Sequence, residues 1–238
     1  MPYEPHIRSA FDNDLDAVKA QVGKMGGLVE KALLNAAEAL EAGDLALAAQ
    51  VRDDDRMIDN LEDMIQSECA RIIALRAPTA TDLRTVLTVM RLASGLERSG
   101  DYAKNLAKRT MVLTEMRPIP GANAAIKRMT RAVVQMLTNA LNAYFTEDAV
   151  LAEEVRQADR EVDQLYNSLF REFLTHMMED PRNITACMHL HFIAKNIERM
   201  GDLVTNMAEQ VIYLTTGERP TEDRPKGDRT AFMRRQIV

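Results

Sequence analysis

The sequence predicts an all-α protein: two tandem, internally repeated three-helix bundles, six long antiparallel helices in all, then a disordered C-terminal tail. Three observations carry this expectation. Glycine and proline are scarce, 10 and 8 in 238 residues, whereas Ala, Leu, Glu, Arg and Met abound, which favours helix over strand and turn. Apolar residues recur every three or four positions over long stretches, as one face of a helix requires. The whole pattern also occurs twice, with particular polar residues repeated in step.

Phe11, Leu15, Val18, Val22, Met25, Val29, Leu33, Ala36 and Leu40 make the stripe of a first helix that stops near Gly43-Asp44. A second helix carries Leu47, Val51, Ile58, Leu61, Ile65 and Ile72. It breaks at Ala77-Pro78, because a residue before proline avoids helical geometry. Thr81-Asp82 is placed to cap a third, with Leu83, Val86, Met90 and Ala93 on its apolar face. Pro118, Pro120 and Gly121 close the first half. Ile126, Met129, Val133, Leu137, Ala140 and Tyr144 then start a fourth helix. The fifth has Leu151, Val155, Val162, Leu165, Leu169 and Phe173, as far as Asp180-Pro181, and the sixth runs from about Arg182 to about Leu214. After Gly217 the chain becomes polar, charged and proline-bearing, a composition that cannot bury enough apolar surface to order itself. Residues 1–117 and 121–217 are thus the two bundles, and residues 218–238 the tail.

The second half repeats the first residue by residue. Met25, Val29, Leu33, Asn35, Asp44, Asp55 and Asp59 recur at one constant offset as Met129, Val133, Leu137, Asn139, Asp148, Asp159 and Asp163. In the third helix a slightly shorter offset carries Glu97, Arg98, Gly100, Asp101 and Asn105 onto Glu198, Arg199, Gly201, Asp202 and Asn206. The slip falls in the proline-bearing turns, where deletions are tolerated.

The repeated acids are the chemically informative part. Glu97, Asp101 and Asn105 stand at i, i+4 and i+8, as do Glu198, Asp202 and Asn206, so each set shares one helix face. Like charges at that spacing repel by roughly 0.2–0.5 kcal/mol, and a mid-helix glycine costs about 1 kcal/mol against alanine. Asp59 lies about as far before the Pro78 turn as Glu97 lies after it. Adjacent antiparallel helices therefore bring the four acids to one height. Asp159, Asp163, Glu198 and Asp202 repeat the arrangement. Such clusters repel themselves unless a cation intervenes. Oxygen-only ligands suit Mg²⁺, Mn²⁺, Ca²⁺ or oxidised iron. Two other readings stay open: a solvated face screened by Arg56 and Arg160, or a duplicated surface that has not yet diverged. Gly100 and Gly201 are read as sites of close backbone approach, or as relics of the duplication.

A net charge of −6 and a pI near 5.4 argue against a nucleic-acid backbone as partner. Cys69 and Cys187 match no ligand spacing and read as buried thiols of a reducing compartment. There is no signal-like N-terminus and no run of about 18 apolar residues, so the expectation is a cytoplasmic protein. His191 shares the Glu198 face, yet a packed or exposed histidine is the simpler reading. No Glu-x-x-His pair, phosphate loop, nucleophile elbow or Cys/His motif is present. The residues offer no catalytic machinery, and the chain is expected not to be an enzyme.

At these residues the chain resembles the PhoU family of bacterial phosphate-signalling regulators. Asp55/Asp59 with Glu97/Asp101, and Asp159/Asp163 with Glu198/Asp202, match its acidic motif on two helices of each bundle, over about residues 8–217. The resemblance implies two tandem three-helix bundles and a cytoplasmic homodimer, peripheral to the membrane only through its partners. Those partners would be the phosphate-specific ABC transporter and its sensor histidine kinase, restrained when phosphate is plentiful. It also implies divalent metal or iron (Mg, Mn, Fe or Ca) at the acids, with Asn105 and Asn206 as accessory positions. The rival expectation is a carboxylate-bundle metalloenzyme, hydrolytic or oxidative, which would require an open coordination position and a general base beyond the ligands.

Overall fold

A computed structural model describes residues 4–220, with side-chain environments from residue 11 onward. Most of the expected tail, residues 221–238, lies outside the described residues. Six helices follow in order: α1 (Glu4–Ala42), α2 (Leu45–Arg76), α3 (Ala80–Leu113), α4 (Ala122–Thr146), α5 (Ala149–Glu179) and α6 (Ile184–Thr216). A single 3-10 turn, Pro181–Asn183, joins the last two. No strand occurs among the described residues.

Helix starts repeat as the sequence repeats. Asp44 caps α2 by accepting from the backbone N–H groups of Ala46 and Leu47 at 2.9 Å each. Its repeat partner Asp148 does the same for Val150 and Leu151 at the head of α5. The residue before each cap is left-handed, Gly43 at φ 66° and Glu147 at φ 53°. Only the first of these positions has the glycine that such a conformation favours. The start of α3 differs from expectation. The helix begins at Ala80 with Thr79 as its cap residue and no side-chain capping bond, so Thr81 and Asp82 lie inside its first turn. The positive φ of Ala77 and Ala80, either side of Pro78-Thr79, turns the chain early and moves the cap.

Within each half the three helices pack against one another, α1–α2–α3 and α4–α5–α6. The halves then join through α1 against α4 and α3 against α6. One apolar core runs through both, from Val22, Met25 and Leu33 to Tyr144, Phe173, Ile193 and Met200, all under 2% exposed. The junction is close because small residues sit in it: Gly26 faces Leu141, and a Cβ on Gly95 would lie 2.7 Å from Met207 Cε. Across α3–α6, Arg91 donates to Gln210 at 2.8 Å, while Arg109 stacks on the Phe192 ring at 4.6 Å. Arg91 and Gln210 occupy the repeat positions of Phe192 and Arg109, so the two halves meet about an approximate two-fold axis. Cys69 and Cys187 are both free and buried. No helix of the described residues is long and apolar enough to cross a membrane.

Candidate functional site: two acid clusters between paired helices

The antiparallel pairing of α2 with α3, and of α5 with α6, decides where the acids go. In the first half Asp55 is buried at the α2–α3 contact, 3% exposed, with Asp59 and Glu97 half-buried beside it. Asp101 is the outermost, its side chain 51% exposed. The four interact as the counting of turns required. Burial pushes the Glu97 carboxyl above its ordinary range, and the charges of Asp101, Glu62, Asp59 and Asp55 push it further. Asp59 is raised by burial and then by Asp55, with Asp101 and Asp63 adding to it while Lys104 opposes.

Lys104 is the residue that the sequence pattern missed. Its Nζ lies 2.5 Å from Asp55 Oδ2 and 3.7 Å from Asp101 Oδ1, tying α2 to α3. The hydrogen bond to Asp55 holds the ammonium above the usual lysine range. Standing three residues after Asp101, Lys104 shares that face, but only the packing of α3 on α2 shows that it reaches Asp55. Glu62, which also faces Glu97, stands three after Asp59 and carries the same signal.

The second cluster is deeper. Asp159, Asp163 and Glu198 are 3%, 4% and 6% exposed, with Asp202 half-buried at their edge. Lys195 Nζ lies 2.9 Å from Glu198 Oε2 and 4.9 Å above the Tyr166 ring. The lysines do not correspond: Thr205 stands at the repeat position of Lys104, its hydroxyl donating to the Gly201 carbonyl at 3.0 Å. Arg160 and Arg56 are both exposed. The arginine that is buried here is Arg156, 5% exposed, donating to Glu153 at 2.7 Å and to Glu209 at 3.3 Å.

The glycines explain the depth of both clusters. A Cβ on Gly100 would lie 3.0 Å from Ile58 Cδ1 and 3.4 Å from Asp55 Oδ1. On Gly201 it would lie 2.8 Å from Asp159 Oδ1. Close approach is therefore what these glycines provide; Ile58 and then Asp55 fill the space at Gly100, and Asp159 fills it at Gly201.

Asn105 and Asn206 are both exposed, and Asn206 lines a groove between α3 and α6 with Arg98 and Gln210. His191 packs among Phe170, Tyr166 and Phe192, with ring centroids 5.5–6.0 Å apart, and its Nδ1 makes no hydrogen bond. Burial, and then Lys195, hold its pKa below the ordinary histidine value.

The donor type of both clusters, carboxylate oxygen, is the type that hard cations take. In the placement seen, no three His, Cys, Asp or Glu side chains among the described residues are arranged around one point to hold a metal. Any cation at Asp55, Asp59, Glu97 and Asp101 would meet the Lys104 ammonium, and would act there by neutralising charge.

The raised carboxylates predict a pH-dependent gain. A carboxyl whose folded pKa exceeds its unfolded value destabilises the fold above the folded pKa, and the penalty fades as pH falls toward the unfolded value near 4.3. Glu97→Gln should therefore raise the urea midpoint at pH 7, with the gain shrinking as the pH is lowered into that window. An equal gain at every pH would count against a charge origin.

The PhoU domain profile matches the chain twice, over residues 22–110 and 126–211. The phosphate-specific transport system accessory protein PhoU homolog of Rhizobium meliloti (strain 1021) is 43% identical over 229 residues, 96% of either chain. The homolog from Zymomonas mobilis is 46% identical over 220 residues, 91% of each. Among solved structures, PhoU from Pseudomonas aeruginosa superposes with a TM-score of 0.84 at 39% identity, covering 87% of this chain and all of that one. The phosphate transport system regulatory protein PhoU from Streptococcus pneumoniae gives 0.82 at 30% identity, covering 89% of this chain and all of that one. With two matched domains, each holding its acid cluster between paired helices, the chain belongs to the PhoU family.

Proposed function

We propose that this protein is a negative regulator of phosphate uptake and phosphate-starvation signalling. In this reading it is a cytoplasmic, homodimeric adaptor between the phosphate-specific ABC transporter and its sensor histidine kinase. It reaches the membrane only through those partners. Divalent metal or iron at the two acid clusters neutralises them and fixes the shape of the surface presented. The observation that supports the reading is the relationship over 96% of both chains to a protein named as an accessory of the phosphate-specific transport system. The structure adds a physical reason for two such clusters. Each spans two helices, so charge neutralisation there changes how tightly the pair is held, and with it the outer face of the bundle.

The test is complementation in a bacterium lacking its own PhoU gene, read by a phosphate-starvation reporter at high phosphate. The wild-type chain should restore repression. The variant with Glu97→Gln, Asp101→Asn, Glu198→Gln and Asp202→Asn should leave the reporter derepressed, while circular dichroism shows it folded. Amide replacements are chosen because Glu198 is buried and truncation there would open a hole. Full repression by the variant would remove the cation-face part of the reading. A wild-type chain that fails to repress would remove the regulator itself.

A further inference from the structure

We propose that the seam between α3 and α6 is a docking face for an acidic helix of a partner protein, with carboxylates seven residues apart. This rests on the adaptor part of the reading above and names the chemistry of one partner; it requires no metal.

The seam is basic in a chain whose net charge is −6. Arg84, Arg91 and Arg98 stand seven residues apart on α3, so they form one row with about 10 Å between successive positions. Arg109 continues the row toward the end of α3. On the α6 side stands Arg199, the repeat partner of Arg98, exposed and midway between Phe192 and Asn206. Arg84 lies over the Tyr213 ring at 5.1 Å, Arg91 donates to Gln210 at 2.8 Å, and Arg109 lies on the Phe192 ring. Rings and an amide therefore hold these guanidinium groups in place without neutralising them. Among the described residues the arginines in ion pairs are Arg71, Arg76, Arg117, Arg156 and Arg182, none of them on this seam.

The shape fits a helix. Between α3 and α6 runs a groove of about 250 Å³, where Arg91, Arg98, Asn206 and Gln210 stand over Leu203 and Met207, with no described carboxylate in its lining. Leu87 and Phe192, 43% and 45% exposed, leave apolar surface further along the seam in either direction. A helix laid in such a groove places carboxylates at i, i+7 and i+14 at the same pitch as the arginine row, with apolar contacts between them. A long polyanion fits less well. The acid clusters on the α2 and α5 sides flank the strip, and salt screens them beyond about 8–10 Å. A short acidic segment therefore meets the arginines alone, whereas a chain of phosphates running past the strip meets the acids.

The test is fluorescence anisotropy of the full chain with a labelled alanine-rich helical peptide, about 20 residues long. One peptide carries Glu at i, i+7 and i+14, and a second of equal composition carries them at i, i+5 and i+10, on different faces. The first should bind at micromolar concentration in low salt, more weakly as salt rises, and about ten-fold tighter than the second. Arg91→Gln with Arg98→Gln and Arg199→Gln should weaken it by about ten-fold or more, while the three lysine replacements, which keep the charge, should retain most of the binding. Urea unfolding of the Gln variant should match wild type, because these side chains are exposed and outside any ion pair among the described residues. No binding by wild type, or equal affinity in wild type and the Gln variant, would overturn the docking face. Equal affinity for the two peptides would overturn the seven-residue register. Tighter binding of polyphosphate or single-stranded RNA, lost in the same variant, would overturn the helix as occupant. Repression by the wild-type chain in the reporter strain is measured separately, so the regulator reading and this one fail independently.

Discussion

Gly201→Val is expected to destabilise the protein by about 3 kcal/mol, the upper part of the range for overpacking a filled interior. The reason is local and severe. The new Cβ would stand 2.8 Å from Asp159 Oδ1 and 3.4 Å from Val162 Cγ1, and valine adds two further carbons in the same crevice. Asp159 is 3% exposed and on a short side chain, so its carboxylate cannot move aside without disturbing the cluster. The equivalent change at Gly100 should cost less, because its nearest neighbour is the end of the flexible Ile58 side chain at 3.0 Å. Gly27 supplies the control. Nothing lies within 4 Å of a Cβ there, so Gly27→Ala should stabilise α1 by about 1 kcal/mol through helix propensity alone. Urea unfolding followed by far-UV circular dichroism measures all three. Gly201→Val unfolding at the wild-type midpoint would mean that α5 and α6 do not approach as closely as described.

The second large effect is an asymmetry between breaking the Asp55–Lys104 pair and removing it. Lys104→Met leaves the Asp55 carboxylate 3% exposed without its ammonium, at a cost of about 2–3 kcal/mol. That is below the figure for a fully buried pair, since the lysine side chain is 41% exposed and water screens it. Asp55→Leu with Lys104→Met removes both charges and should be less destabilised than Lys104→Met alone. The pair also has a pH signature. The Asp55 bond raises the folded pKa of Lys104, so its contribution is complete below the unfolded lysine value near 10.4 and is lost as pH rises through the folded one. The gap between wild type and Lys104→Met should therefore narrow in strongly alkaline buffer. A double variant that unfolds as readily as the single one would show that packing, and not the uncompensated charge, sets the cost.

Much of this was legible in the residues. The stripe from Phe11 to Leu40 gives a helix because 3.6-residue periodicity is a property of the chain alone. Gly43-Asp44 was readable as the place where the first helix stops, while the capping by Asp44 and Asp148 came from the structure. Where a boundary depended on the turn path, reading failed: Thr81-Asp82 looked like a cap, but the left-handed Ala77 and Ala80 moved the start of α3 to Ala80. The convergence of Glu97 and Asp101 on Asp55 and Asp59 was also readable, from equal counts either side of a short turn. The place of Lys104 was not, since spacing puts it on the right face without saying whether it reaches across to α2.

By itself the sequence determined six amphipathic helices, their duplication, and four acid pairs at matching heights, all of which follow from periodicity and counting along one chain. Only the tertiary structure decided how far each carboxylate is buried and which cation it meets. Burial is set by how closely two helices cross, at Gly100 against Ile58 and at Gly201 against Asp159. A charge partner is set by distances of a few ångströms between helices, which no spacing within one helix fixes.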